Sequence, residues 1–290
     1  MNPRVMVVGD VMLDVVTRPL GARQPTSDTP AATVVGRGGS AANAAAGLAR
    51  AGCAVSFVGA IGHDAVADVL RTLFDAAGVV THFQVVDEPT GVVVAIVDES
   101  AQRAMFTSRG ANAALSWAHV LACLEGDFDH LHVSGYTVLD ERTREVARRA
   151  ITLARSRGAS VSVDACSVGP LRAMGPSEFL DVVAGATTIF ANQEEAMALG
   201  AGSLEEAVAD LTARFDEVVI TLGASGALVS SGEGVVRVGA ATSEAVDTTG
   251  AGDAVTGAYL NERLRGAQRR SALEAAMAAA AQVVVGLGAG

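Results

Sequence analysis

The chain has 290 residues, half of them hydrophobic, and a formal net charge of −11. That length and apolar share support one large core with a minor appendage. The acidic balance, the absence of a basic run and an aromatic content of 4% argue against nucleic acid and anionic membrane as partners.

The chain contains no lysine; apart from histidine, every basic residue is arginine. This excludes a P-loop lysine, a Schiff-base lysine and the strand lysine of protein kinases. Any phosphate site must then use backbone N–H groups, arginine or metal. Cys53, Cys123 and Cys166 are widely spaced and form no metal or disulfide pattern. Reduced thiols, no signal-peptide pattern in residues 1–10 and no membrane-length apolar run predict a cytoplasmic protein.

In chain order, Arg4–Gly9 is continuously apolar, as in a strand buried on both faces. Asp10 and Asp14 follow it, where open α/β sheets bind ligands, and a carboxylate there can accept from a vicinal diol. A loop aspartate capping a turn is the plainer alternative. Val15–Arg37 is polar and turn-rich, with a strand expected at Ala31–Val35. Gly38-Gly39-Ser40 reads as a tight turn capping a helix over Ser40–Ala51, with Asn43 one turn in. A close-packed alanine helix explains the same residues. A strand at Ala54–Ile61 and a helix at Asp64–Ala77 follow. Thr90–Asp98 and Gln102–Ser108 read as a hairpin. With Val15–Arg37 it would make a small β-sheet, a lid over segments of about 15–37 and 90–109 that excludes water.

Beyond the hairpin comes Arg109-Gly110-Ala111-Asn112. Strands are expected at His130–Ser134, Ser160–Asp164, Thr187–Ala191 and Glu217–Leu222, and helices at Asp140–Arg157 and Leu204–Phe215. This alternation predicts an α/β fold, an αβα sandwich with a mostly parallel central sheet. Asn192 and Glu195 share one face of a helix opening. They suit a water-mediated Mg²⁺ site beside phosphates, or a plain N-cap with acidic first-turn residues. Thr221-Leu222-Gly223-Ala224-Ser225-Gly226 joins two strands and would let a nucleotide lie on backbone, or is a simple turn. Asp247-Thr248-Thr249-Gly250-Ala251-Gly252-Asp253 then leads into consecutive helices at about Gly252–Arg265 and Arg270–Val284. Glycines at a helix N-terminus admit a phosphate. A carboxylate beside that phosphate suits removal of a proton from an attacking hydroxyl.

These segments, in this order, resemble the ribokinase-like (PfkB) family of sugar and nucleoside kinases. The resemblance rests on Gly38-Gly39-Ser40-Ala41-Ala42-Asn43, on Asn192 with Glu195, on Thr221, Gly223 and Gly226, and on Asp247–Ala254. It implies a Rossmann-like core with a β-lid and ATP-dependent phosphorylation of a primary alcohol, with Asp253 as general base. Gly250, Ala251 and Gly252 would supply an anion hole. Asp14 and Asn43, with Gly39 nearby, would bind substrate hydroxyls. Asn192 and Glu195 would sit near Mg²⁺ and the phosphates, and Thr221, Gly223 and Gly226 would line the nucleotide site. Asp247 and Thr249 match residues that hold a monovalent cation, K⁺, in activated members. Ser40 stands where ribokinases carry lysine, whereas Arg109-Gly110-Ala111-Asn112 is similar to the ribokinase pattern, and that similarity implies that Arg109 or Asn112 meets the substrate. Such lids double as dimer interfaces, so a homodimer through the lid is an expectation.

Few aromatic residues favour a sugar over a nucleoside, with Phe106 of the lid the candidate for stacking a base. A non-catalytic binding protein on the same fold is the alternative of another class.

Overall fold

The structure is a computed structural model that describes residues 2–22, 24, 26–98, 103–200, 202–241 and 250–284. Asp247 and Thr249 lie outside the described residues.

Thirteen strands form among the described residues: β1 Arg4–Val8, β2 Met12–Pro19, β3 Ala31–Gly38, β4 Ala54–Ile61, β5 Val80–Val85, β6 Val92–Val97, β7 Arg103–Ser108, β8 His130–Val133, β9 Ser160–Asp164, β10 Thr188–Asn192, β11 Glu217–Thr221, β12 Ala227–Ser231 and β13 Gly234–Val238. The helices are α1 Ser40–Arg50, α2 Ala65–Ala76, α3 Trp117–Cys123, α4 Gly135–Leu139, α5 Arg144–Ser156, α6 Val168–Met174, α7 Pro176–Val182, α8 Gln193–Leu199, α9 Leu204–Thr212, α10 Ala251–Leu264 and α11 Arg269–Val283.

The nine-stranded sheet runs β13-β12-β11-β10-β9-β8-β1-β4-β5. It is parallel from β11 to β5, and β12 and β13 each pair antiparallel. Burial on both faces explains the continuous apolar runs. In β1, Val5 and Val7 join the core under α1, α2, α10 and α11, while Met6 and Val8 join the core under α5. Each buried valine contributes roughly 1.5–3 kcal/mol relative to exposure. The chain leaves β1 toward β4 on one side and returns as β8 on the other, so sheet order reverses between β1 and β8. Ligand crevices form at such points.

The second sheet is β3-β2-β6-β7. The lid therefore begins at Met12 rather than at residue 15, because β2 starts only three residues after β1 ends. The strand expected at Ala31–Val35 extends to Gly38, held by pairing with β2 along its whole length. The helix expected from Asp140 begins at Arg144, since residues 141–143 form a turn beside an Asp140 carboxylate that accepts from Arg142 N (3.0 Å).

Candidate active site

The strand ends and two helix N-termini converge on one cleft of about 1440 Å³ between the sheets. Pockets for a single small ligand measure roughly 300–1,000 Å³. The cleft is larger than that range.

Its centre is built by α1 and α10. Gly39 precedes α1 with φ 94°, and an added Cβ would stand 2.6 Å from Asp10 O. Only glycine lets the chain turn so close to the end of β1. Asp10 then caps α1, its Oδ2 accepting from Ser40 N (3.0 Å), and Ser134 Oγ donates to its Oδ1 (2.7 Å). Gly250, left-handed at φ 75°, starts α10. The first intrahelical bond runs from Ala254 N to Gly250 O (2.9 Å), so the N–H groups of Ala251, Gly252 and Asp253 lack intrahelical acceptors. They form a ready anion site.

Asp253, half-buried, projects from this turn. Ser40 Oγ lies 2.9 Å from its Oδ1 and Asn43 Nδ2 donates to its Oδ2 (3.1 Å). Burial, then the charge of Asp164, push its carboxyl up to about 8 against those two hydrogen bonds. Asn43 Oδ1 is buried and has no hydrogen-bond partner among the described residues. Such an acceptor is costly unless a ligand satisfies it. Asp14, buried on β2, faces the same space and crosses to Gly38, whose absent Cβ leaves room for its carboxylate.

At the far end Asn192 and Glu195 form a reciprocal capping box of α8: Asn192 Oδ1 accepts from Glu195 N (2.9 Å) and Glu195 Oε2 accepts from Asn192 N (2.8 Å). Burial pushes the Glu195 carboxyl up to about 7, with Asp164 and Glu194 adding to it. Thr221, Gly223 and Gly226 line the same end. Gly226 has φ 90°, and a Cβ there would meet Val238 O at 2.1 Å. Opposite them Met277, Ala280 and Val284 give an apolar wall.

Two expected substrate contacts are placed differently. Asn112 does not line the cleft. Its Oδ1 accepts from Val11 N (2.8 Å) and its Nδ2 donates to Val11 O (2.8 Å) and Arg109 O (2.9 Å). The amide is consumed by backbone, so Asn112 supports the site without reaching a ligand. Arg109 lines the cleft, but its Nε donates to Asp140 Oδ2 (3.1 Å) and its guanidinium lies 5.7 Å over the Tyr136 ring. Its charge is largely answered within the protein. Phe106 is also misplaced as a base-stacking residue. It pairs with Val94, and alternation puts it on the lid face away from Thr107 and the cleft.

Asp164 was not singled out by the sequence reading. It ends β9, lines the cleft, and its Oδ2 accepts from Ser40 Oγ (2.7 Å). Its place at the carboxyl end of a parallel strand is the signal that could have found it. Among the described residues no helix is long and apolar enough to cross a membrane.

Comparison with known proteins agrees with this geometry. The family model described as pfkB family carbohydrate kinase matches residues 2–290. An ATP-dependent ribose-1-phosphate kinase of Halopiger xanaduensis is 30% identical, over 96% of this chain and 90% of its own. An adenosine kinase from Sinorhizobium meliloti superposes with a TM-score of 0.90 at 24% identity, covering 100% of this chain and 96% of that one. An E. coli protein classed as Ribokinase II, solved with ATP and Mg²⁺, superposes at 0.87 and 23% identity, covering 100% and 94%. At those identities the two structures speak for the fold. The full-length family match and the 30% identical relative speak for more: the chain belongs to the pfkB family of carbohydrate kinases and is a phosphotransferase with an alcohol group as acceptor.

Proposed function

We propose that the protein phosphorylates a primary hydroxyl of a sugar (pentose, hexose or sugar acid) with ATP, using Asp253 as general base. The observation that carries this reading is the Asp253 carboxyl at the N-terminus of α10, beside three N–H groups without helical acceptors; burial pushes that carboxyl up to about 8. A base works best with a pKa near the operating pH. The N–H groups of Ala251, Gly252 and Asp253, opened by Gly250, receive the charge of the phosphoryl group in transfer. Asn43 Oδ1 accepts from one substrate hydroxyl and Asp14 from others, with Gly39 shaping the floor. Arg109 edges this end, paired to Asp140 (3.1 Å).

The apolar wall of α11 and the Thr221–Gly226 turn support an adenine site, with Asn192 toward the phosphates. Among the described residues no three His, Cys, Asp or Glu side chains stand close enough to hold a metal directly. Glu195 and Asn192 at the opening of α8 fit Mg²⁺ held through water, and the metal would neutralise phosphate charge. The E. coli structure bound to ATP and Mg²⁺ supports both partners. A K⁺ site at Asp247 and Thr249 remains part of the proposal on sequence grounds.

A nucleoside kinase is the second reading. Phe106 facing away from the cleft tells against it. The free thiols and ATP chemistry fit a cytoplasmic location. A homodimer through the lid is supported by the cross-strand row Val35, Val15, Val94 and Phe106, in which Val35 and Phe106 are 54% and 61% exposed. Light scattering after gel filtration tests it.

The deciding experiment is ADP release over a panel of sugars, sugar acids and nucleosides. Asp253→Asn should retain ATP binding and lose roughly two to four orders of magnitude in kcat. Activity within about tenfold of wild type would remove Asp253 as base.

A further inference from the structure

Asp164 and Asp253 come from different elements and meet at one hydroxyl. Ser40 Oγ is 2.7 Å from Asp164 Oδ2 and 2.9 Å from Asp253 Oδ1. A serine hydroxyl has one hydrogen to give. It cannot satisfy two ionised carboxylates, so one of the two acids carries a proton and donates it to Ser40 Oγ.

The surroundings select which. Gly135 N donates to Asp164 Oδ1 (3.4 Å), and Cys166 Sγ donates to the same atom. His132 Nε2 stands 3.7 Å from Asp164 Oδ2, beyond hydrogen-bond length. The His132 ring is fully buried and held from below: its Nδ1 meets Ser162 Oγ (2.8 Å), which also meets His130 Nε2 (2.8 Å). Burial would raise the Asp164 carboxyl, yet His132, Cys166 and Ser40 hold it below its ordinary value. Among the described residues Asp253 has only Asn43 besides Ser40 as a hydrogen-bond partner. The resting proton therefore sits on Asp253, and the Ser40 hydrogen points to Asp164.

We infer that Asp164 is a positioning residue for phosphoryl transfer: through Ser40 Oγ it orients the Asp253 carboxyl and sets when that carboxyl is free to accept the substrate's proton. The inference rests on Asp253 being the base. Asp253 first releases its resting proton to solvent; in the transfer the acceptor O–H bond breaks, its oxygen bonds the γ-phosphorus, the bridging P–O bond breaks with its electron pair leaving on ADP, and the substrate's proton moves to the freed Asp253 carboxylate. That returns the resting arrangement, with the proton again shared toward Ser40.

The charged and titratable groups around Asp253 are Asp10 after β1, Asp14 on β2, Arg37 on β3, Asp164 on β9 with Cys166 beyond it, His132 on β8 behind Asp164, and Glu195 on α8. Asp164 is the largest charge acting on it.

The test is carboxyl ¹³C NMR of the ligand-free protein labelled at aspartate, with the Asp253 signal assigned by its loss in Asp253→Asn. Asp164→Asn removes the neighbouring negative charge and should lower the Asp253 midpoint by roughly one pH unit. An unmoved midpoint in a folded variant overturns the inference. Ser40→Ala supplies a second reading with ATP–Mg²⁺ and the best sugar of the ADP-release panel. It should lower kcat about 10- to 100-fold with little change in either KM, and Ser40→Thr should restore it. Equal kcat in Ser40→Ala and wild type overturns the inference too. The base assignment fails separately, through an active Asp253→Asn; an inactive Asp253→Asn with an unmoved midpoint defeats the role of Asp164 alone.

Discussion

Asn43 and Asp253 touch across two helices, 3.1 Å from Nδ2 to Oδ2, and one turn further along each helix Gly47 and Gly257 touch as well. A Cβ on Gly257 would stand 3.1 Å from Gly47 C and Leu48 N. The glycine crossing brings α1 and α10 close enough for a short asparagine to reach a short aspartate. Gly257→Val should force the helices apart, costing about 1–3 kcal/mol. It should also lower kcat more than Tm alone explains. Steady-state kinetics at a temperature well below the variant's Tm measures this; unchanged kcat would show that the crossing does not set the contact.

Gly38 and Asp14 allow a cleaner separation of binding from stability. A Cβ on Gly38 would lie 1.8 Å from Asp14 Oδ1. The obstacle is the end of a flexible side chain, so Gly38→Ala should move Asp14 rather than unfold the lid. Sugar KM should rise about tenfold or more while Tm shifts little. A large Tm loss with unchanged KM would contradict the role given to Asp14.

Asp253 makes stability depend on pH in a direction opposite to most carboxylates. Its folded value near 8 lies above the ordinary 3.8. Between those values the folded state binds more protons than the unfolded one. The contribution is therefore fully present below about pH 4 and lost as pH rises to about 8. Asp253→Asn removes that loss. Its Tm should exceed wild type by about 2–5 °C near pH 9 and approach it near pH 4, as scanning calorimetry would show.

Glu217 is the structural counterpart away from the cleft. Buried at the start of β11, it accepts from Tyr259 Oη (2.7 Å), Arg263 Nη2 (2.5 Å) and Arg269 Nε (3.0 Å). It ties α10 and α11 to the sheet. Glu217→Ala leaves Arg263 and a buried hydroxyl without their carboxylate, while Arg269 keeps Glu233 (2.6 Å), costing about 3 kcal/mol and roughly 5–10 °C in Tm. Tyr259→Phe should cost about 1 kcal/mol.

How far the sequence carries depends on what enforces each pattern. β1, β4, β8 and β9 are legible because both faces are buried, which demands uninterrupted apolar residues. β5 is not, because it is the sheet edge and its terminal Val80 and Val85 face solvent, so little constrains its pattern. Asp253 and its glycines are legible as a local string. The Ser40 bridge is not, since its three members are separated by 124 and 89 positions and meet only through the sheet order. Asn112 misleads for a related reason. A polar residue beside a ligand-binding motif suggests a ligand, while its partner is backbone about a hundred positions away.

That partner is Val11, the residue between the two sheets. Asn112 grips both its N–H and its C=O, as a neighbouring strand would. The grip lies between Asp10, at the end of β1 in the main sheet, and Asp14, on β2 of the second sheet. Under the proposed reading, an acceptor held by Asp14 with its hydroxyl at Asp253 would therefore engage both sheets at once, on either side of a backbone joint that Asn112 holds in register.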